Sequence, residues 1–254
     1  MNNRIVSPIS GEEQCEPHVD IQSIVDYKEL TLLPLFSEID RRTLLSMLPA
    51  MRREQWPRGY AFKDPEQTKH RFYLLLKGRV KIGRHHLDNG RELTLFLFGP
   101  GDVFNALNLI DGGVHNMEIY TLDEVEVLSV PTERWLAWMR QYTPLHKAIA
   151  ALAASQIGRL SDLASELALD DTMTRLVHLI SRYFNNSSYG LNLIQNLPQE
   201  ELAHMIGTVR PVVARLLGEL KRDGLINTDG GEIHVRNLER LLDKADDHLG
   251  NLSK

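Results

Sequence analysis

The segment from Gln199 to Ile226, QEELAHMIGTVRPVVARLLGELKRDGLI, constrains the fold of this chain more than any other stretch. Its apolar residues form two short runs of helical period, and Gly207 separates them. The small Ala203 lets two helices approach, and Gly207 supplies the backbone freedom of a tight turn. Val213 and Leu216 fall where the second helix needs core anchors. The pattern predicts a helix-turn-helix.

The second helix of this motif has arginine on its outward face. Arg210 and Arg215 lie where side chains can reach base edges in the major groove. The formal net charge of the chain is -5, so composition alone gives no support for a bulk nucleic-acid binder. Between His204 and Arg222, however, four basic residues stand against one acidic residue, a local net charge of +3. Because DNA needs positive charge where the phosphates lie, this local pattern permits a DNA-binding motif.

Length and composition predict a cytoplasmic protein of about two domains. The 254 residues suffice for a sizeable core. No apolar run approaches the roughly 18 residues that span a bilayer, and the polar N-terminus does not resemble a signal peptide. The single cysteine, Cys15, excludes an intramolecular disulfide and any cysteine-based iron–sulfur or zinc site. Cys15 could be a redox switch, an intermolecular link or an ordinary thiol.

The first half of the chain contains three successive sequence patterns: a polar segment, a helical segment and a series of short strands. Residues 1–26 are polar and predict a flexible arm, and a helical pattern broken by Pro34 and Pro49 follows from Tyr27 to Arg52. Between Trp56 and Val130, short β-type runs separated by turn residues predict a small barrel or jelly roll. The predicted strands are Arg71–Leu76, Arg79–Arg84, Leu93–Phe98, Met117–Thr121 and Glu126–Val130.

A long helix is predicted from Pro144 to Leu169. Six of its positions are spaced by 4, 3, 4, 3 and 4 residues, which is the period of a coiled-coil seam between two chains. They are Ile149, Ala153, Gln156, Leu160, Leu163 and Leu167. Gln156 would be the single polar residue that sets the register of this seam. The alternative is a helix packed on its own barrel.

The remaining elements predict a winged helix. Asp170-Asp171-Thr172 can cap a new helix, and an edge strand is expected at Leu191–Ile194. After the helix-turn-helix, Leu225–Thr228 and Glu232–Val235 flank an Asp-Gly-Gly turn and predict a hairpin. A hairpin directly after a recognition helix is a wing, and a final helix from Leu238 would close the domain.

This order of parts resembles the CRP/FNR family of bacterial transcription regulators over Leu30 to Leu241. The resemblance also rests on short motifs: Trp56-Pro57-Arg58-Gly59, FYLLLKGRVKI, Asn89-Gly90-Arg91-Glu92 and Gly99-Pro100-Gly101-Asp102-Val103-Phe104. It implies an α+β fold with a sensor β-roll of antiparallel strands at 27–143, a dimerisation helix at 144–169 and a winged helix-turn-helix at 170–254. It further implies a homodimer on double-stranded DNA, RNA polymerase as a partner, and no enzymatic activity.

The chain departs from the family's cyclic-nucleotide binders. Where those proteins have Gly-Glu-Leu with a ribose-binding Glu, this chain has Asn105-Ala106-Leu107, and Asn116 and Met117 stand in place of an Arg-Ser/Thr pair. A buried phosphate without arginine would cost several kcal/mol. The sequence therefore argues against a cyclic nucleotide, and the lone cysteine argues against the family's iron–sulfur centre. The predicted effector pocket comprises Phe104, Asn105, Leu107, Asn116, Met117 and Gln156.

The nature of the effector stays open at this point: a small molecule, a gas or a redox signal. A haem-based CO or NO sensor is one alternative, with axial-ligand candidates His70, His85, His86, His115 and His146. A cupin-like metalloenzyme is another, suggested by His85-His86 beside Glu92. Adjacent strand residues point to opposite faces, which argues against the enzyme.

The resemblance assigns roles on the recognition helix. Arg210 matches an arginine that touches phosphate or base, and Arg215 matches the one that forks onto guanine O6 and N7. Pro211 replaces a base-reading Glu, and proline is comfortable in the first helical turn. Thr208 is either a helix cap or a phosphate contact, and Lys221 with Arg222 either positions the DNA backbone or is simply solvated. Two subunits should bind a pseudo-palindrome with half-sites about one helical turn apart.

Overall fold

The computed structural model describes residues 30–31, 33–62, 70–86, 90–105, 118–184 and 193–251. Near the N-terminal end, two 3-10 turns at Pro34–Phe36 and Leu48–Ala50 flank helix α1 (Arg41–Met47). Asp40 caps α1, since its carboxylate accepts hydrogen bonds from the backbone N–H and hydroxyl of Thr43. The predicted helical pattern ends earlier than Arg52, because Arg52 already begins a strand.

The β-roll consists of two antiparallel four-stranded sheets. Their strands are β1 (Arg52–Trp56), β2 (Ala61–Phe62), β3 (Arg71–Lys77), β4 (Val80–His85), β5 (Glu92–Phe98), β6 (Val103–Phe104), β7 (Glu118–Thr121) and β8 (Val125–Pro131). One sheet has the order β1-β8-β3-β6 and the other β2-β7-β4-β5. The five predicted strands are confirmed within the described residues, whereas β1, β2 and β6 were not predicted. β5 is the edge strand that faces the C-terminal part of the chain.

Aromatic side chains fill the space between the two sheets. Trp56 packs against Phe62 and Tyr73 with ring centroids 4.7 and 5.2 Å apart, and Tyr73 stacks on Phe104 at 5.1 Å. Phe98 lies 6.2 Å from Phe104 on the same side. All five rings are buried, so the described part of the roll has a packed interior.

A second core joins the roll to the helices that follow it. Helix α2 (Thr132–Gln141), which the sequence reading missed, places Trp135 against Phe72 with ring centroids 4.3 Å apart. Helix α3 (Thr143–Leu169) follows and adds Leu145 and Ile149 to this core. The long helix is thus confirmed. None of the helices in the described part of the chain is both long and apolar enough to cross a membrane.

The C-terminal part has the order of a winged helix-turn-helix. It comprises α4 (Thr172–Phe184), α5 (Gln199–Met205), α6 (Arg210–Arg222), the hairpin strands β9 (Ile226–Asp229) and β10 (Glu232–Val235), and α7 (Leu238–Asn251). Asp171 caps α4 as predicted, because its carboxylate accepts the N–H of Thr174 at 2.8 Å.

The predicted edge strand at Leu191–Ile194 is wrong where the structure describes it. Residues 193–196 form a turn, and 191–192 lie outside the described residues. The side-chain amide of Gln195 takes over the pairing that a strand would provide. It accepts the N–H of Ile233 at 2.6 Å and donates to the carbonyl of Ile233 at 2.8 Å. The Gln195 side chain, together with the N–H of Asn196, which donates to the carbonyl of Gly231 at 3.1 Å, therefore fastens the wing hairpin.

Candidate nucleic-acid interface

The turn between α5 and α6 depends on one glycine. Gly207 has φ +64°, a conformation that other residues rarely adopt, and the N–H of Thr208 bonds back to the carbonyl of Ala203 at 2.9 Å. α6 begins after Val209, which is extended and makes no side-chain cap bond. The capping role considered for Thr208 is therefore wrong, since Val209 holds the cap position. Pro211 sits in the first turn of α6, as predicted.

α6 separates an apolar face from an exposed face. Val213, Leu216, Leu217 and Leu220 are buried in the core of the C-terminal part. The exposed reading face consists of Arg210, Pro211, Ala214, Arg215, Gly218, Lys221 and Arg222. A Cβ added at Gly218 would meet nothing within 4 Å, so packing inside the chain does not require glycine there. Small residues between the basic ones leave the helix surface open to close approach by another molecule.

The Arg215 side chain is 65% exposed and extends from the middle of this reading face. Its acidic neighbour Glu219 is 4.0 Å away, too far for a hydrogen bond. Lys244, a residue the sequence reading missed, holds Glu219 at 3.3 Å and Asp223 at 2.9 Å from the other side. The hydrogen bond to Asp223, ahead of that to Glu219, raises the pKa of Lys244. Lys244 thus neutralises the acidic groups beside the reading face.

Lys221 connects the reading face to the wing. Its ammonium donates to the hydroxyl of Thr228 on β9 at 3.3 Å, while the residue stays exposed. This contact places Lys221 at the edge where α6 and the hairpin meet. Lys221 can therefore contact a phosphate of the DNA backbone while it keeps its hydrogen bond to the wing.

The predicted dimer seam lies against the chain's own barrel. Ile149, Ala153, Gln156 and Leu163 are buried within the single chain, and Leu160 and Leu167 are half-buried. Leu160 packs directly on the core of the roll. The alternative, a helix packed on its own barrel, therefore holds for this face of α3. These six residues do not form a seam between two chains. An interface with a second chain needs side chains that the first chain leaves exposed.

Such a face exists one residue further along at every position, about 100° around the helix. We call it the exposed stripe: Ala150, Ala154, Ile157, Ser161, Ala164 and Ala168. Its spacing is again 4, 3, 4, 3 and 4. Ile157, the large apolar side chain of the exposed stripe, is 63% exposed. The other members are small and would let a second helix approach closely.

The predicted effector pocket is not assembled by the described residues. Phe104 is fully buried among the aromatic rings and fills the core rather than lining a cavity. Asn105 has φ +65° and donates its amide to the carbonyl of Arg71 at 3.4 Å. Gln156 is buried on the barrel side of α3. Leu107, Asn116 and Met117 lie outside the described residues, as does Cys15.

A cavity of about 690 Å³ lies instead at the junction of β5, the Gly99–Asp102 turn, α3 and α4. Leu95, Leu97 and Leu152 provide apolar walls, and Asp102, Arg159 and Tyr183 provide polar groups. Burial raises the pKa of Asp102, although the Gly99 N–H and the Arg159 guanidinium act against it. Burial also raises the pKa of Tyr183. The lining residues in the described part of the chain include no histidine.

The histidines considered as haem ligands are dispersed. His85, at the end of β4, has its ring nitrogens 3.2 Å from Glu92 and 3.1 Å from Glu118. His70, His86 and His146 are exposed, and His115 lies outside the described residues. His85 ends β4, and His86 follows outside the strand.

Comparison with known proteins assigns this architecture. The model of the cyclic nucleotide-binding domain matches residues 56–142, and the model of the Crp-like helix-turn-helix domain matches residues 174–244. The chain belongs to the CRP/FNR family. It is a CRP-like transcription regulator and not an enzyme, which removes the cupin-like alternative.

Two relatives and one solved structure are similar to this CRP/FNR regulator over most of its length. The CRP-like cAMP-activated global transcriptional regulator of Mycobacterium tuberculosis is 25% identical over 215 residues, which cover 83% of this chain and 96% of the relative. The global nitrogen regulator of Synechococcus elongatus is 29% identical over 215 residues, covering 82% and 94%. The structure of a CooA mutant from Carboxydothermus hydrogenoformans shares the fold, with a TM-score of 0.69, 18% identity and coverage of 84% and 95%.

Proposed function

We propose that this regulator is a homodimer that binds a pseudo-palindromic DNA operator through α6, and that an effector at the barrel junction adjusts this binding. The observation that carries the proposal is the reading face of α6. Its basic side chains are exposed on a helix whose other face is fully packed. A helix held in this way can enter the major groove without losing its core contacts.

Arg215 is the main base-reading residue in this proposal. A guanidinium can donate two hydrogen bonds to guanine O6 and N7, and the exposure of Arg215 leaves it free to do so. Pro211 has no side-chain donor or acceptor, so the base opposite it is not read by a hydrogen bond. Arg210 and Lys221 then contact phosphates and set the position of the helix.

Dimerisation would use the exposed stripe of α3. Two such helices packed about a twofold axis would bury Ile157 against its copy and bring small residues together along the rest of the seam. This arrangement keeps the chain's own barrel contacts intact. It also places two reading faces in one particle, as a pseudo-palindrome requires. RNA polymerase is the further partner that a regulator of this kind would contact from DNA.

The effector would bind the 690 Å³ cavity, because that space touches the barrel, the long helix and the C-terminal part together. Apolar walls with two guanidiniums (Arg159 and Arg182) and two carboxyls (Asp102 and Asp162) suit a small organic molecule with an apolar body and a polar, hydrogen-bonding end. We rank haem lower, because His85 is already engaged by two carboxylates. A visible spectrum with an intense Soret band on the purified protein would reverse that order.

Selection of DNA by the wild-type regulator from a random duplex library tests the proposal. We expect enrichment of a pseudo-palindrome with half-sites about one helical turn apart and a guanine in each half-site. Fluorescence anisotropy on the winning sequence should then give tighter binding than on scrambled duplex at the same salt concentration. Enrichment of no common sequence, with equal affinity for scrambled duplex, would refute sequence-specific binding.

A further inference from the structure

The C-terminal part is held against the edge of the roll by two basic residues at the start of β4. Lys81 lies in β4, and Arg79 comes directly before its first residue, Val80. Arg79 is paired with Asp123 at 2.6 Å and also donates to the carbonyls of Leu193 and Gln195 at 3.0 and 2.6 Å. This first clamp fixes the turn that leads into α5.

Lys81 makes the second clamp, and it is buried. Only 4% of the residue is exposed, and its ammonium lies 2.6 Å from Glu92 on β5 and 2.7 and 2.9 Å from the two carboxylate oxygens of Glu201 on α5. His204, one turn after Glu201, has Nδ1 3.4 Å from Glu92 and 3.7 Å from Glu201. The three groups Glu92, Glu201 and His204 lie within 4.8 Å of one another, and the ammonium of Lys81 is the cation that joins the carboxylates.

The cluster divides into two halves that meet only when the C-terminal part is docked. The barrel half consists of Lys81, Glu92, His85 and Glu118, the last on β7 beside Tyr120. With a neutral His85 its net charge is −1. The α5 half consists of Glu201 and His204, and its net charge is −1 when His204 is neutral and zero when it is protonated. Docking two like-charged halves is unfavourable, and a proton on His204 removes that repulsion.

We propose that Lys81, Glu92, Glu201 and His204 form a latch that closes the C-terminal part onto the roll when His204 is protonated and loosens when it is neutral. The closed latch leaves Arg210 and Arg215 exposed, so it fixes the position of the reading face without covering it. Leu97 of β5 belongs to the same core cluster as the helices of the C-terminal part, which gives the junction an apolar floor. The latch thus adds pH as an input at a site separate from the effector cavity.

The carboxylate of Glu201 keeps its charge in the neutral pH range. Burial would raise the pKa of Glu201, but His204 and the Lys81 ammonium outweigh it and lower that pKa. A carboxyl with a lowered pKa contributes its stabilisation above its ordinary pKa of about 4 and loses it only in stronger acid. Burial, together with the neighbouring Glu118, raises the pKa of Tyr120, which stays neutral. Histidine is the side chain whose ordinary pKa places its change of charge between pH 5 and pH 8.

Pulsed electron paramagnetic resonance on the DNA-free protein tests the latch. Spin labels are placed by Glu133→Cys on α2 and Glu239→Cys on α7, both exposed, after Cys15→Ser removes the native thiol. An excess of unlabelled chains ensures that each measured distance lies within one chain. We expect one narrow distance at pH 6 and a several-fold larger undocked population at pH 8. At both pH 6 and pH 8, the His204→Gln variant should show the larger undocked population that wild type shows at pH 8.

Two further variants complete the test. Lys81→Met removes the ammonium that joins Glu92 and Glu201, and we expect a larger undocked population than in wild type at both pH values. As a control, Glu200→Gln removes a carboxylate charge one residue before Glu201, on the exposed side of α5, and it should keep the wild-type response. The latch is refuted if His204→Gln retains the wild-type pH response or if Lys81→Met stays docked. Because no DNA is present, this outcome is independent of the proposed DNA contacts.

Discussion

The outer face of α6 is exposed, whereas the interior of the β-roll is filled by the chain's own side chains. The basic side chains on α6 are exposed: in the part of the chain that the structure describes, Arg215 has Glu219 at 4.0 Å and Lys221 has Thr228 at 3.3 Å. The interior of the roll is filled by Trp56, Tyr73 and Phe104, with ring contacts of 5.1 to 5.9 Å. A basic helix face of this kind offers positive charge to the phosphates of a nucleic acid, whereas a filled interior leaves no space for a partner. The DNA-binding role of this regulator is therefore easier to assign than the effector to which it responds.

Helix α3 contains both kinds of surface, and a charge on its exposed stripe gives the largest expected effect. Ile157→Asp would place two carboxylates opposite each other across the proposed twofold axis, which costs several kcal/mol. We expect the dimer to dissociate at micromolar concentration in sedimentation velocity. Ser155→Asp adds the same charge on another exposed face of α3 and should remain dimeric. If Ile157→Asp also remained dimeric, the exposed stripe would not be the seam.

The packed interior of the roll is tested by removing one of its rings. Phe104 is fully buried, so Phe104→Ala should lower the free energy of unfolding by about 3–5 kcal/mol. Urea unfolding followed by tryptophan fluorescence measures this change. A loss below about 1 kcal/mol would mean that Phe104 faces an open pocket, as the sequence first suggested, and would weaken the contrast with α6.

The sequence predicted the helices and strands better than the surfaces against which they pack. The 4-3-4-3-4 spacing on α3 correctly indicated a helix with a long packed face. Two interleaved repeats one residue apart share that spacing, however, and the more apolar one, which includes Ile149 and Leu163, packs on the chain's own barrel. Hydrophobicity alone cannot tell an internal partner from an external one.

Long-range polar contacts were beyond sequence reasoning for a different reason. Lys81 and Glu201 are 120 residues apart and come together only through the docking of the C-terminal part. Gln195 replaces a predicted strand with a single amide, and no local pattern encodes that substitution. The helix-turn-helix was predictable because its turn, core anchors and exposed arginines all lie within one short segment.

The central claim, that the reading face of α6 recognises DNA sequence, is tested most directly by one cycle of binding measurements. Wild type, Arg215→Ala and the exposed control Arg134→Ala on α2 are titrated with the selected operator and with the operator whose conserved guanines are replaced. Wild type and Arg134→Ala should prefer the guanine by about 1–3 kcal/mol per half-site, and Arg215→Ala should lose that preference while its unfolding free energy stays unchanged. Retention of the full preference by Arg215→Ala would contradict the account.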